Sequence, residues 1–234
     1  MQYLLPLLSV ILGYLIAVVI KPNNKKNIKL LLAFSGSFLL SITVMHLLPE
    51  VYDAVFHSHF GHHDHSGGYR IGAFIMVGIL FQIILEFFSK GAEHGHVHSH
   101  EKMNSMPWTL FISLCLHALL EGMPVSHHHD LALGIAIHHL PIAIILTTFF
   151  IGAGLNKKLI LFFMLAFALM TPLGTLASEK LHFLEHYYTE ISAVVIGILF
   201  HISSTIIFES SENHKFNVAK ISVIVLGIVL AYFV

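Results

Sequence analysis

Eight long apolar stretches dominate the chain, at roughly 2–20, 28–49, 71–88, 107–125, 131–151, 159–178, 190–208 and 218–234, with polar loops between them. A bilayer-spanning helix needs about 20 largely apolar residues, so each stretch is read as one. Lipid offers the backbone no hydrogen-bond partner, which leaves helices or a closed barrel. The period-2 alternation of barrel strands is absent. Charged residues make up only 11% of the chain, against about 25% in an ordinary soluble domain. The expected fold is therefore an all-α membrane protein with eight transmembrane helices in a single domain, 1–234. Residues 2–20 lack a basic n-region and run straight into Lys21-Pro22-Asn23-Asn24-Lys25-Lys26. They are read as a first spanning helix rather than a cleaved signal peptide.

Lysine and arginine set the expected orientation, because cytoplasmic loops carry the excess of positive charge. Loops after the first, third, fifth and seventh stretches hold Lys21, Lys25, Lys26, Lys29, Lys90, Lys102, Lys157, Lys158, Lys215 and Lys220. The others hold only Arg70 and Lys180, ten against two. This asymmetry predicts that both termini are extracytoplasmic. The expected location is a multi-pass protein of a plasma membrane or bacterial inner membrane. A net charge of −1 supplies no basic face for nucleic acid, and the single cysteine, Cys115, excludes a disulfide framework or thiolate cluster.

Histidine is the compositional anomaly, at 20 of 234 residues. Neutral imidazole is the commonest protein ligand for zinc and similar metals. An ionisable residue inside a spanning helix is costly and marks a functional candidate. In the fourth stretch, His117 and Glu121 stand four apart and share a helix face. In the fifth, His138 and His139 precede Leu140 and Pro141. With opposite helix directions, His117 and Glu121 lie roughly 15–21 Å from one membrane face. The His138–His139 pair lies roughly 10–12 Å from the other, so the two pairs share a depth. Three imidazoles and a carboxylate can then converge on zinc. Neighbours on a helix point about 100° apart, so His138 is favoured as the ligand and His139 as a supporting or second-site residue. Pro141 is expected to free a carbonyl near Ile137, and Pro124 one near Leu120. The structural alternative is a buried hydrogen-bonded pair holding two helices together.

At these residues the chain resembles the ZIP family of zinc-regulated, iron-regulated transporter-like proteins. His117, Glu121 and Gly122 match the family's His-x-x-x-Glu-Gly. His46-Leu47-Leu48-Pro49-Glu50 looks like its His-Leu-Leu-Pro-Glu, and Thr171-Pro172-Leu173-Gly174 like its Thr-x-Pro-Leu-Gly pattern. The resemblance implies eight spans, extracytoplasmic termini, a metal site between the fourth and fifth, and a His-rich loop after the third. Many members use a second metal, with an Asn after the first His and a Glu after the Pro. Here those positions are Ala118 and Ile142, and His139 stands where a carboxylate is common. The resemblance therefore implies one ion held by His117, Glu121 and His138. Nitrogen-rich donors lean toward zinc, with iron or cadmium also open.

Three further clusters lie in loops: His57, His59, His62, His63 and His65 (57–65); His94, His96, His98 and His100 (94–100); and His127, His128 and His129 (127–129). Spaced imidazoles with Asp64 and Asp130 nearby suit loose capture or handoff of metal; the alternative is a polar linker of biased composition. His46 and Glu50 form either part of an entrance or an interfacial cap. His201 either lines the pathway or bonds a neighbouring helix, and Glu86 and Glu209 are expected at the interface. The expected function is transport of a divalent transition metal, zinc first, toward the cytoplasm, and not enzymatic. The expected partners are the metal ion and the bilayer, with a homodimer compatible. A membrane metal sensor is the alternative. An intramembrane zinc hydrolase is disfavoured, because no His-Glu-x-x-His motif occurs.

Overall fold

The computed structural model describes residues 2–20, 25–57, 66–89, 107–127, 129–209 and 217–234. Among them every regular element is helical: α1 (Leu4–Val19), α2 (Lys25–Ile42), α3 (Leu48–His57), α4 (Ser66–Ser89), α5 (Trp108–Gly122), α6 (His129–Gly152), α7 (Lys157–Lys180), α8 (His182–His186), α9 (Tyr188–Glu209) and α10 (Val218–Tyr232). Six spans are long and apolar enough to cross a membrane: Lys26–Val55, Gly67–Phe88, Trp108–Ser126, Asp130–Gly152, Lys157–Lys180 and Tyr188–Phe208. The first and last of the expected eight are shorter apolar helices, of 16 and 15 residues. At 1.5 Å per residue they reach about 24 and 22 Å, short of a hydrocarbon core of about 30 Å. Large apolar side chains stay exposed along α4, including Met76, Leu80 and Phe87, as lipid contact requires. The chain is a multi-pass integral membrane protein.

Proline placement differs from the expectation in instructive ways. The second stretch does not stop at Pro49. A π-helical turn, Thr43–Leu47, joins α2 to α3, so the chain stays helical from Lys25 to His57. The wider turn comes just before the residue that lacks an N–H, where the regular bond ladder must give. Pro141 lies inside α6, which runs through it from His129 to Gly152. Pro124 starts a 3-10 turn, Pro124–Ser126, after α5 has ended. Met123 donates to the Leu120 carbonyl at 3.1 Å, so the carbonyl expected to be freed there is already used. The short α8 lies between two apolar helices and has no counterpart in the sequence expectation, because its five residues are too few to show a helical period.

Two large apolar cores organise the helices, with a smaller cluster of Leu32, Ile198, Ile202 and Ile206 between α2 and α9. One is shared by α1, α5, α6 and α7, with Val10, Leu114, Ala118, Leu146, Phe163 and Phe167 among its members. The other is built by α2, α3, α4, α6 and α9, with Leu39, Ile42, Ile75, Leu131, Ile135 and Leu199 among its members. Helix α6 contributes to both. Its N-terminal half enters the second core through Leu131 and Ile135, and its C-terminal half enters the first through Ile142 and Leu146. His138 and His139 occupy the change-over.

Close crossings rest on small residues, as in helix packing without a hydrophobic driving force. At Gly174 of α7 an added Cβ would stand 1.9 Å from the Leu119 carbonyl oxygen of α5, and at Gly122 one would stand 2.1 Å from that of Thr171. The α4–α9 crossing uses Gly78 and Gly197 in the same way. Thr175 Oγ1 then donates to the Gly122 carbonyl at 2.8 Å, clamping the end of α5 to α7.

Candidate metal centre

His117 and Glu121 lie one turn apart on the face of α5 that turns away from lipid. The side chains of both, and of His138 and His139 on α6, are buried. Glu121 is held from two sides. Its Oε1 is 3.1 Å from His117 Nε2, and its Oε2 is 3.1 Å from His139 Nε2. His117, Glu121 and His138 each bring one ligand atom to within 4.8 Å of the others. Zinc bonds of 2.0–2.1 Å set tetrahedral donor atoms about 3.3 Å apart. An inward shift of about 1 Å would therefore close the group on one ion.

His139 takes a different place. It reaches the second oxygen of Glu121, and its ring packs on Phe167 of α7 with centroids 5.2 Å apart. A metal-binding carboxylate is commonly hydrogen-bonded on its other oxygen, which aims it and tunes its basicity. The four predicted site residues thus lie together, with one potential donor atom each from His117, Glu121 and His138 close to one another and the His139 imidazole on the second oxygen of Glu121. The backbone beside Glu121 is held as well, since Gly122 is the residue against which Thr171, Gly174 and Thr175 of α7 pack. The Thr171-Pro172-Leu173-Gly174 motif supplies that close surface. Ala118 and Ile142 are buried in the core of α1, α5, α6 and α7, so the two positions where the resemblance put second-site donors are apolar here.

Other candidates lie elsewhere. His201 of α9 pairs with Glu86 of α4 at 2.6 Å, so His201 bonds a neighbouring helix. His127 is exposed and stacks on Tyr188, with centroids 4.3 Å apart. His46, Glu50 and Asp130 line a separate cavity of about 170 Å³. Gln2 and Tyr3, polar residues with no periodic signal, both donate to Glu179 and tie the start of α1 to the end of α7. Two of the expected clusters, His59, His62, His63 and His65 with Asp64, and His94, His96, His98 and His100 between Lys90 and Lys102, lie outside the described residues, as does His128. The side chains of His57, His129 and Glu209 also lie outside them.

A family model described as ZIP zinc transporter matches residues 3–107. The match ends just before α5, so the candidate centre lies beyond it. The chain is 32% identical over 88 residues to zinc transporter SLC39A7 of Mus musculus, covering 34% of this chain and 18% of that protein. It is 22% identical over 183 residues to zinc transporter ZIP1 of Danio rerio, covering 60% of each. It is 31% identical over 88 residues to zinc transporter SLC39A7 of Rattus norvegicus, covering 34% of this chain and 18% of that protein. The chain thus spans less than two thirds of the length of these relatives.

Proposed function

On the premise that this chain carries the ZIP zinc transporter pattern over residues 3–107, we propose that it moves a divalent transition metal, zinc first, across the bilayer toward the cytoplasm. The observation that carries this reading is the buried convergence of His117, Glu121 and His138 on two apolar helices. A carboxylate and neutral imidazoles replace the ion's water at a depth where hydration is lost. The single carboxylate offsets half of the dication's charge, which keeps binding weak enough for release. Both Ala118 and Ile142 lack a donor atom, so the centre takes one ion rather than a pair. His139 holds Glu121 in position and is the group that carboxylate turns to between ions.

The proposed topology has eight spans in one domain, with α1 and α10 as the short outer members and both termini extracytoplasmic. The lysine asymmetry supports that orientation. In this frame α5 and α6 are the fourth and fifth spans, and the loop at 94–100 faces the cytoplasm, where its histidines receive released metal.

Zinc uptake into liposomes containing the purified protein tests the assignment. Glu121→Ala should bring flux close to that of empty liposomes while the protein still inserts and runs as a single species. Wild-type flux in that variant would overturn the site. Zinc binding by the native protein with no flux at all would instead favour a sensor.

A further inference from the structure

Helix α4 is the least covered of the six long spans. Of its apolar stretch, Gly67–Phe88, 22% is buried, against 44% or more in the others. Tyr69, Met76, Leu80, Ile83 and Phe87 are all exposed and recur at helical spacing, so they form one face. Between Met76, Val77, Ile79, Leu80 and Ile83 that face is hollowed into an apolar groove of about 360 Å³. At the head of the face stands Arg70, the only arginine in the chain. Its exposed guanidinium pairs with Glu190 in the first turn of α9, whose carboxylate is still accessible in part.

Helices that pair within lipid approach through small residues. Those of α4 are already in use. An added Cβ at Gly78 would stand 2.0 Å from the Val194 carbonyl oxygen of α9, and one at Gly67 would stand 2.3 Å from Val55 of α3. From Met76 to Phe88 the exposed face offers only bulky side chains, which hold a second helix off. A flexible acyl chain can follow such a surface. Arg70 fixes where that chain hangs from. At 1.5 Å per residue, the groove lies about 9–20 Å along the helix from Arg70. Half of a hydrocarbon core is about 15 Å. A guanidinium at the end of the span therefore stands over the acyl half of its own leaflet. Its planar fork of N–H donors matches phosphate oxygens. Glu190 offsets its charge, so a head group that brings an ammonium together with a phosphate finds a partner for each.

From these facts we infer that α4 holds one phospholipid at a fixed place, with its phosphate on the outward N–H groups of Arg70 and an acyl chain in the groove. The ligand class is a zwitterionic, amine-bearing glycerophospholipid, whose ammonium lies on the Glu190 side of the pair. Arg70 and Glu190 belong to the same two helices that meet at Gly78 and Gly197. A lipid bound across that pair holds the start of α9 to α4. Neither Arg70 nor the groove shares a residue with the proposed metal centre, so lipid binding is independent of the transport reading.

Native mass spectrometry of the purified full chain tests this, with phosphatidylethanolamine or phosphatidylglycerol added to delipidated protein in detergent. Wild type should keep one phosphatidylethanolamine under activation that strips phosphatidylglycerol. Leu80→Trp fills the groove, and Arg70→Gln combined with Glu190→Gln removes both charges without leaving either alone. Each folded variant should lose the retained lipid. Should the variants fail to fold, phosphatidylethanolamine with a photoreactive group in its acyl chain is cross-linked to the unmodified protein, and the label should map to Met76–Ile83. Equal retention of the two lipids by wild type, undiminished retention in either folded variant, or label spread evenly over α4, α7 and α10 overturns the inference. A dimer of the chain that Leu80→Trp breaks up, with no lipid retained, overturns it as well and assigns the face to a second copy.

Discussion

In the proposed metal site, His139 is an orienting residue rather than one of the converging donors. Its Nε2 sits 3.1 Å from Glu121 Oε2, while His117 faces the other carboxylate oxygen. Loss of such an orienting partner commonly costs about 10- to 100-fold in metal affinity. His139→Ala should therefore weaken zinc binding by about that factor while leaving one ion at saturation. Loss of a direct donor such as Glu121 should remove the ion altogether. Calorimetric titration of the two purified variants separates these outcomes. Equal effects of His139→Ala and Glu121→Ala would mean that the imidazole is itself a ligand. The pair of His201 with Glu86 follows a different logic. Their contact joins α4 to α9, and neither belongs to the converging group at α5 and α6.

Among helices, the α5–α7 crossing carries the centre's geometry. Gly174 presents no Cβ to the Leu119 carbonyl, and Gly122 presents none to Thr171. Any side chain at Gly174 would push a rigid backbone, not a flexible side chain. Gly174→Ala should therefore drive the helices apart, lower the melting temperature and weaken zinc binding together, because Glu121 precedes Gly122 directly. Overpacking of this kind typically costs about 1–3 kcal/mol, and more where backbone is struck. Gly152→Ala is the control: nothing lies within 4 Å of the added methyl. It should stay within about 0.5 kcal/mol of wild type. Thermal unfolding in detergent with and without zinc measures both. An undisturbed Gly174→Ala protein would show that α5 and α7 are not held in register by this contact.

At the scale of the whole molecule, the proposed path runs through the buried centre at the change-over between two cores and on to the histidine-bearing segment 94–100, which lies outside the described residues. The loop is proposed as accessory rather than conducting. Changing His94, His96, His98 and His100 together to Ser should leave zinc flux present and alter its rate or its response to internal zinc. Metal binding by that loop should weaken as the inner pH falls through about 6, because protons compete for the lone pairs of neutral imidazole. Flux measured in liposomes buffered inside at several pH values checks both statements. A complete loss of flux with normal insertion would place the loop in the conduction path.

Hydropathy alone located the six long apolar helices among the described residues, because lipid leaves the backbone only a few solutions and demands long apolar runs. The four-residue spacing of His117 and Glu121 put them on one helix face through local geometry. Ala118 and Ile142 could be read as non-ligating from their chemistry. What the sequence could not decide was long-range register. His138 and His139 are neighbours in the chain, and only the packing of α6 against α5 and α7 sent one toward the ligand group and the other to Glu121 and Phe167. The same holds for His201 with Glu86, 115 residues apart, and for His46 between Asp130 and Ala231. A helix repeats every 3.6 residues, so its own faces are legible along the chain. Which face meets which depends on how several helices settle together, and on the small residues that let their backbones touch.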